Sequence, residues 1–250
     1  MAGGTPFVKT GPVSALPMYE AEADGLRELK KAGAVRVPDI IGCGIADGKS
    51  FLALERLSLQ RADASVERCF GEQLAELHRH TAERFGWFRN NTIGVTPQIN
   101  TWTDDWPTFF REHRLEYQLD LAAATGYSDE LAKAGSRLAD QLTDLFADYE
   151  PAASLLHGDL WAGNWGCADG EPVIFDPAVY YGDRESDIAM TMLFGGFGRA
   201  FYEAYKANWP LDPGHEKRLK LYQLYHVLNH LNIFGRSYLA QAKQLLTDLL

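Results

Sequence analysis

The stretch from Leu155 to Asp176, LLHGDLWAGNWGCADGEPVIFD, constrains this chain more than any other. Leu155 and Leu156 form a short apolar run that breaks at Gly158, and Asp159 stands in the turn that follows. Asn164 comes five residues later, and a second apolar run, Val173 to Phe175, reads as a strand closed by Asp176. A loop of this length returning as a hairpin strand brings Asp159, Asn164 and Asp176 to one mouth. Asp and Asn are also common turn formers, so a polar β-hairpin is the bland alternative. His157, Gly158 and Trp161 around the two acids and the amide favour chemistry over a plain turn.

An acid, four residues, an amide, then a strand ending in a second acid is the order of a phosphoryl-transfer site. Moving a γ-phosphoryl group needs a carboxylate that orients the acceptor hydroxyl and takes its proton, a role open to Asp159. It also needs oxygen ligands for Mg2+, a hard cation that keeps several waters and takes one or two carboxylates beside the nucleotide's phosphates. Asp176 and the amide oxygen of Asn164 suit that task.

The 250 residues, 46% of them hydrophobic, are enough for one large or two small domains with a proper core. A net charge of -10, a pI near 5.2 and no run of Lys or Arg argue against a nucleic-acid surface and for a small-molecule partner. Cys43, Cys69 and Cys167 are odd in number, far apart and without CxxC spacing, so neither a disulfide framework nor a zinc site is expected, and a reducing cytoplasm is the default setting. The opening MAGGTPFVKT has no apolar signal-peptide core, and no run of 18 apolar residues suggests a membrane span.

In chain order, Phe7 to Lys9 reads as a short strand between Gly/Pro turns, and Tyr19 to Lys31 as a helix with Tyr19, Ala23, Leu26 and Leu29 on one face and Gly33 as its stop. Glu20 and Glu22 fall in the first turns of that helix. A strand lysine followed by a helix glutamate can hold an ammonium against phosphates. On these residues alone, a surface lysine and a glutamate favoured by the helix dipole is the stronger reading. Ile40 to Ile45 and Phe51 to Leu54 read as strands around the turn Asp47-Gly48-Lys49, completing a small antiparallel sheet. A hinge is expected at Glu55, Arg56 and Leu57, whose backbone could bond an adenine edge.

After Ser65 the pattern is helical, with apolar stripes at Val66, Phe70, Leu74 and Leu77 and at Leu131, Leu138, Leu142, Leu145 and Phe146. A third helix is expected from Trp106 to about Ala123. The long aromatic loop from Phe85 to Trp106 reads equally as a sugar site and as a wrap over the core. Asp183 is placed to cap the next helix, and Asp187, on the apolar side of that helix, either takes donors that the catalytic loop could supply or is a solvated acid near a helix N-terminus. Further helices are expected at Phe201 to Trp209, His215 to Phe234 and around Leu239 to Leu249. His226 and His230 have the spacing of a metal pair but no third ligand, and packing or capping is the expected role.

The segments FVK at Phe7 to Lys9, YEAEADGL at Tyr19 to Leu26, FGWFRNNTIG at Phe85 to Gly94, NTWTDDW at Asn100 to Trp106, HGDLWAGNWG at His157 to Gly166, FDPAVYYGDRESDIAM at Phe175 to Met190 and LYHVLNHLNIFG at Leu224 to Gly235 carry a family resemblance. Through them the chain resembles the fructosamine (ketosamine) kinases, in the aminoglycoside phosphotransferase and choline kinase-like branch of the protein kinase-like fold. The resemblance spans nearly the whole chain, and HGDLWxGN followed by DPAVYYGDRE is its most specific part.

It implies an α+β, two-lobed protein kinase-like fold, with a shortened antiparallel N-terminal lobe (1–57) and a mainly helical C-terminal lobe (58–250). It implies ATP and Mg2+ as cofactors, Asp159 as proton acceptor, Asn164 and Asp176 as metal ligands, and Lys9 as the phosphate-binding lysine with Glu22, or failing that Glu20, as its partner. Glu55, Arg56 and Leu57 would form the adenine hinge, and Trp161 and the Asn91 region would face the substrate. The implied reaction is phosphorylation of a sugar 3-hydroxyl in fructosamines, ribulosamines or erythrulosamines, on small amines or glycated lysines of proteins. The phosphorylated adduct then breaks down and restores the amine. One departure stands out: roughly thirty to forty residues, with a glycine-containing phosphate loop, precede the FVK segment in that fold, whereas Met1 lies six residues before Phe7 here. A kinase of another hydroxylated amine, an aminoglycoside or choline, is the rival within enzymes. A catalytically impaired, pseudokinase-like binding protein is the rival outside them.

Overall fold

The computed structural model describes residues 5–250. Its smaller lobe is an antiparallel sheet of β1 (Phe7–Gly11), β2 (Ile40–Ala46) and β3 (Lys49–Leu54), in the order β1-β3-β2. Lys9 lies opposite Leu52 in that sheet. Helix α1 (Leu16–Ala32) starts three residues before the expected Tyr19, because Pro17 occupies its first turn, where a missing N–H leaves nothing unpaired. It ends at Gly33, whose left-handed φ of 68° lets its N–H close on the Leu29 and Lys30 carbonyls. The apolar face carrying Tyr19, Ala23, Leu26 and Leu29 is buried, as the periodicity predicts.

Glu55 to Leu57 lead into β4 (Leu59–Gln60) and then α2 (Ala64–His78), which is capped by Asp63 accepting the Ser65 and Val66 N–H groups. The stretch after Phe85 folds into a hairpin, β5 (Asn91–Ile93) and β6 (Thr96–Gln98). Next come α3 (Trp106–Phe110), a π-helical turn, α4 (Tyr117–Ala122) and α5 (Ser128–Gln141). The stretch around Leu155 to Asp176 supplies β7 (Ser154–Leu156), β8 (Trp165–Ala168) and β9 (Glu171–Ile174). It is followed by β10 (Tyr180–Gly182), α6 (Glu185–Leu193), α7 (Arg199–Asn208), α8 (His215–Phe234) and α9 (Leu239–Leu249). Strands β7 and β10 pair, and β4-β8-β9 form a second small antiparallel sheet, so the smaller lobe runs straight into the sheet that carries the site.

Arg114 explains why the long loop is ordered. Fully buried, it lies over the Tyr180 ring at 4.2 Å and donates to the Ile99 carbonyl at 2.6 Å and to Asn100 Oδ1 at 2.8 Å. A buried guanidinium needs such partners, and here they tie the loop to the aromatic core of Trp106, Phe109, Phe110 and Tyr225. The result is the expected α+β architecture of a small antiparallel lobe against a mainly helical one. No described helix is long and apolar enough to cross a membrane.

Candidate active site

Strand β7 delivers the chain into the turn His157-Gly158-Asp159. His157 is buried, and burial depresses its pKa, keeping it neutral. Its Nε2–H donates to the Phe175 carbonyl at 3.0 Å, and its Nδ1 accepts the Asp159 N–H at 3.2 Å. One imidazole thus fastens the first acid's backbone to the strand that leads to the second. Gly158 has φ 83°, and a Cβ there would run into the Ala178 carbonyl, so glycine is the residue this turn can hold.

Asp187 of α6 accepts the His157 N–H at 2.8 Å and the Gly158 N–H at 2.9 Å, the donors the sequence called for. A third bond comes from His78 Nε2–H at 3.2 Å. Burial works to raise the Asp187 pKa, but these bonds and the neighbouring imidazoles hold it below the usual carboxylate value. Behind His78, Tyr205 O–H donates to its Nδ1 at 2.8 Å, and Arg184 donates to the Tyr205 oxygen at 3.1 Å. His78 and Tyr205 carry no signal in the sequence, because a histidine closing a helix looks like any C-terminal basic residue; Arg184 lies within the DPAVYYGDRE segment, but nothing in its spacing assigns it this role. Asp183 does hold the start of α6, accepting the Glu185 N–H at 2.9 Å along with the hydroxyls of Tyr149 and Tyr222.

Asp159, Asn164 and Asp176 meet in one cavity of about 410 Å³, joined there by Lys9, Glu22 and Trp161. Burial pushes Asp159 up to about 7; the Asn164 hydrogen bond pulls the other way, and the charges of Asp187 and Asp176 add to the rise. Asn164 Nδ2 donates to the Asp159 carbonyl at 2.8 Å and to its Oδ2 at 3.3 Å. That fixes the amide's nitrogen on the loop and gives its oxygen to the cavity. Asp176 stands at φ 57° and, across the lobes, accepts Lys9 Nζ at 2.8 Å. Lys9 also donates to both Glu22 oxygens, at 2.8 and 2.9 Å. Burial works to lower the Lys9 pKa, but Glu22 and Asp176 outweigh it and the ammonium is held firmly protonated. Glu20 is exposed, and Glu22 is the partner.

The donor set suits Mg2+. It consists of one carboxylate and one amide oxygen, both hard, and no cluster of three or more His, Cys, Asp or Glu able to hold a metal exists among the described residues. A site so short of protein ligands fits a cation that completes its shell with water and nucleotide phosphates, and does not fit zinc.

The Trp161 indole lies over Gly163, where a Cβ would overlap the ring, so the side chain packs against this loop while remaining 42% exposed. Asn91 borders the cavity, but its side chain is spent internally. Its Nδ2 donates to the Val179 carbonyl at 2.8 Å, and its Oδ1 accepts from Gln98 at 2.8 Å and Asn100 at 2.9 Å. It holds the hairpin, and Thr92, Gly94 and Val95 are the hairpin's cavity-facing residues. The Phe85 to Trp106 loop is therefore both a wrap over the core and a wall of the cavity.

A second cavity, about 250 Å³, adjoins the first at Asp176 and is lined mainly by apolar groups, among them Phe7, Leu54, Leu57, Leu59 and Phe175. Glu55 and Arg56 border it with their side chains turned to structural work. The Glu55 carboxylate takes Arg36 at 2.7 Å, and Arg56 donates to the Thr5 and Pro6 carbonyls. The Glu55 N–H is bonded to the Asp39 carbonyl at 2.7 Å. His226 and His230 lie apart from this site; His230 Nδ1 bonds the His226 carbonyl at 2.8 Å, a packing role.

A lysine–glutamate pair in a small antiparallel lobe, facing an acid, an amide and a second acid in a helical lobe, defines a protein kinase-like phosphotransferase that acts on a hydroxyl group. The chain belongs to the fructosamine kinase family, whose profile matches residues 2–250. It is 45% identical over 248 residues to a "Probable ketoamine kinase" of Synechocystis sp., covering 98% of this chain and 82% of that one. It is 41% identical over 253 residues to the chloroplastic protein-ribulosamine 3-kinase of Oryza sativa subsp. indica, covering 99% and 73%. The crystal structure of a candidate fructosamine-3-kinase from Haemophilus somnus superposes with a TM-score of 0.91 at 33% identity, covering 98% of this chain and 83% of that one.

Proposed function

We propose that the protein is an ATP- and Mg2+-dependent ketosamine 3-kinase, which phosphorylates the sugar 3-hydroxyl of a fructosamine, ribulosamine or erythrulosamine and so begins deglycation of the amine that bears it. The observation that carries this reading is the convergence of Asp159, Asn164, Asp176 and Lys9 on one cavity that opens into an apolar slot. The slot suits an adenine, between the sheet of the smaller lobe and Phe175. Lys9, fixed by Glu22, presents its ammonium to the phosphates. Asp159 accepts the proton of the attacking hydroxyl. Trp161 offers an aromatic face to the C–H side of a sugar. Asp176 and the Asn164 oxygen would hold Mg2+, which when bound offsets the charge of the phosphates. In this reading residues 1–57 form the nucleotide-covering lobe and residues 58–250 the catalytic one. The free state of Cys43, Cys69 and Cys167 supports a cytoplasmic setting.

The names of the relatives support a ketosamine as acceptor over an aminoglycoside or choline. The test is a side-by-side assay of ATP consumption with a fructosamine, a ribulosamine, kanamycin and choline, with and without Mg2+. Mg2+-dependent turnover confined to the ketosamines is expected. Preference for kanamycin or choline, or no turnover at all, would reject the reading.

A further inference from the structure

Two segments that carry the family resemblance hold charged residues to which the mechanism gives no task, Asp24 in YEAEADGL and Arg89 in FGWFRNNTIG. They meet across the lobes. Arg89 Nη1 donates to Asp24 Oδ2 at 2.5 Å, and Arg89 Nη2 donates to the Pro17 carbonyl at 3.4 Å. Pro17 and Asp24 are two turns apart on one face of α1, and the planar guanidinium fork reaches both. The other Asp24 oxygen takes Arg27 Nη1 at 2.7 Å, so the whole carboxylate is committed. The Asp24 and Arg89 side chains are 25% and 27% exposed, which shields the pair from the solvent screening that empties ion pairs on an open surface.

The pair joins two walls of the catalytic cavity. The first half of α1 lines it with Met18, Tyr19, Ala21 and Glu22, and the β5–β6 hairpin lines it with Thr92, Gly94 and Val95. Arg89 stands two residues before β5, and its backbone is fixed there. Asn100 Nδ2 donates to the Arg89 carbonyl at 3.2 Å, the Asn100 N–H donates to Asn90 Oδ1 at 2.8 Å, and buried Arg114 holds Asn100 Oδ1. Asp24 stands two residues after Glu22, which grips Lys9. The second half of α1 has its own ties to the larger lobe. Tyr181 O–H donates to Glu28 at 2.8 Å, and Gly25 packs so closely that a Cβ would sit 3.1 Å from Val179 Cγ2. Among the described residues, the larger lobe's hydrogen bonds and ion pairs to the first half of α1 all come from Arg89. The nearby link from Lys9 to Asp176 is the one that nucleotide and Mg2+ take over in the proposed mechanism.

We propose that Arg89 is a positioning residue: through Asp24 it keeps the hairpin wall in register with the Lys9–Glu22 pair that holds the nucleotide's phosphates. The inference rests on the ketosamine kinase reading of the cavity. The hairpin lines the cavity and not the apolar slot, so it faces the acceptor and not the adenine. Transfer needs the acceptor hydroxyl in line with the phosphorus at contact distance, and a misplacement of about 1 Å can cost on the order of 10²-fold in rate. Lys9, Glu22 and most of the slot belong to the smaller lobe and move with it. Loosening Arg89 therefore leaves nucleotide binding in place and shifts the acceptor against it.

The test assays the full chain with a fructosamine and a ribulosamine in the wild type, Arg89→Met, Arg89→Lys, Arg89→Glu and the exchange Arg89→Glu/Asp24→Arg. Arg89→Met keeps the stem and removes the fork. For it we expect kcat/KM for the acceptor at saturating Mg2+–ATP to fall on the order of 10²-fold, with the calorimetric Kd for Mg2+–ATP unchanged, which also reports intact folding. Arg89→Lys reaches Asp24 without the Pro17 carbonyl and should fall in between. Arg89→Glu sets carboxylate against carboxylate, and the exchange should regain most of what it loses. Wild-type kcat/KM in Arg89→Met, an equal loss of Mg2+–ATP affinity, or an exchange no better than Arg89→Glu alone overturns the positioning role and leaves the kinase reading standing. A wild type that phosphorylates neither ketosamine overturns the kinase reading, and the positioning role with it.

Discussion

In the proposed mechanism Asp159 acts as a base near neutrality, and the fold buries it enough to push its pKa up to about 7. A carboxylate in that range is a far better proton acceptor than one at the ordinary value near 4. Measured with ATP present, kcat/KM, which reports the ionisation of the free enzyme, should therefore climb as pH rises towards about 7 and level off above it. Stability moves the other way. The folded protein keeps this proton to about pH 7 and the unfolded chain only to about pH 4, so the group's contribution is complete below about pH 4 and is lost as pH rises through about 7. Asp159→Asn cannot ionise. Its turnover should fall on the order of 10²-fold or more with ATP affinity kept, and its Tm relative to the wild type should rise between pH 5 and pH 8. Thermal melts across that range and a nucleotide titration check both; near-wild-type turnover would remove Asp159 from the chemistry.

Helix α6 acts on the site from behind, through the single carboxylate of Asp187. Three donors converge on it, two of them backbone N–H groups of the catalytic turn and one a buried imidazole. Asp187→Asn keeps the shape but turns an NH2 group towards donors, leaving buried groups unpaired. We expect a loss of about 3 kcal/mol in urea unfolding, with kcat falling more than the affinity for ATP, because the turn that aims Asp159 loosens while the adenine slot is untouched. An unchanged unfolding midpoint would show that the turn holds without α6. The sequence foresaw this contact, because an acid on the apolar side of a helix must find donors. It did not foresee the β5–β6 hairpin. Each of its strands has three residues, one contains Pro97, and no alternation marks them; only their pairing with each other makes them strands.

Between the lobes, Lys9 and Asp176 form an ion pair from groups 167 residues apart in the chain. In the proposed mechanism the ammonium serves the phosphates and the carboxylate serves the metal. Nucleotide and Mg2+ together therefore replace a direct link between the lobes with a bridged one. Mg2+–ATP at about 100 times its Kd should stabilise the protein by about 2.7 kcal/mol, and ATP with a chelator should stabilise it less. Asp176→Ala should bind ATP with the same affinity whether or not Mg2+ is present, as calorimetry would show. A persistent Mg2+ effect in that variant would assign the metal to other ligands.

Short-range rules in the sequence accounted for the elements and for the identity of the chemical groups. Periodicity marked α1, α2 and α5, the Asp47-Gly48-Lys49 turn placed the β2–β3 hairpin, and the spacing from Asp159 to Asn164 to Asp176 announced phosphoryl transfer. Tertiary structure decided which of several equivalent residues do the work. Glu22 pairs with Lys9 and Glu20 does not, because one helical position faces the cavity and the other faces water. Asn91 braces the hairpin because Val179, Gln98 and Asn100 consume its amide. His78, Arg184 and Tyr205 join the site from three separate segments. Their roles lie in distances between parts of the chain remote in sequence, and periodicity and spacing carry no information about those distances.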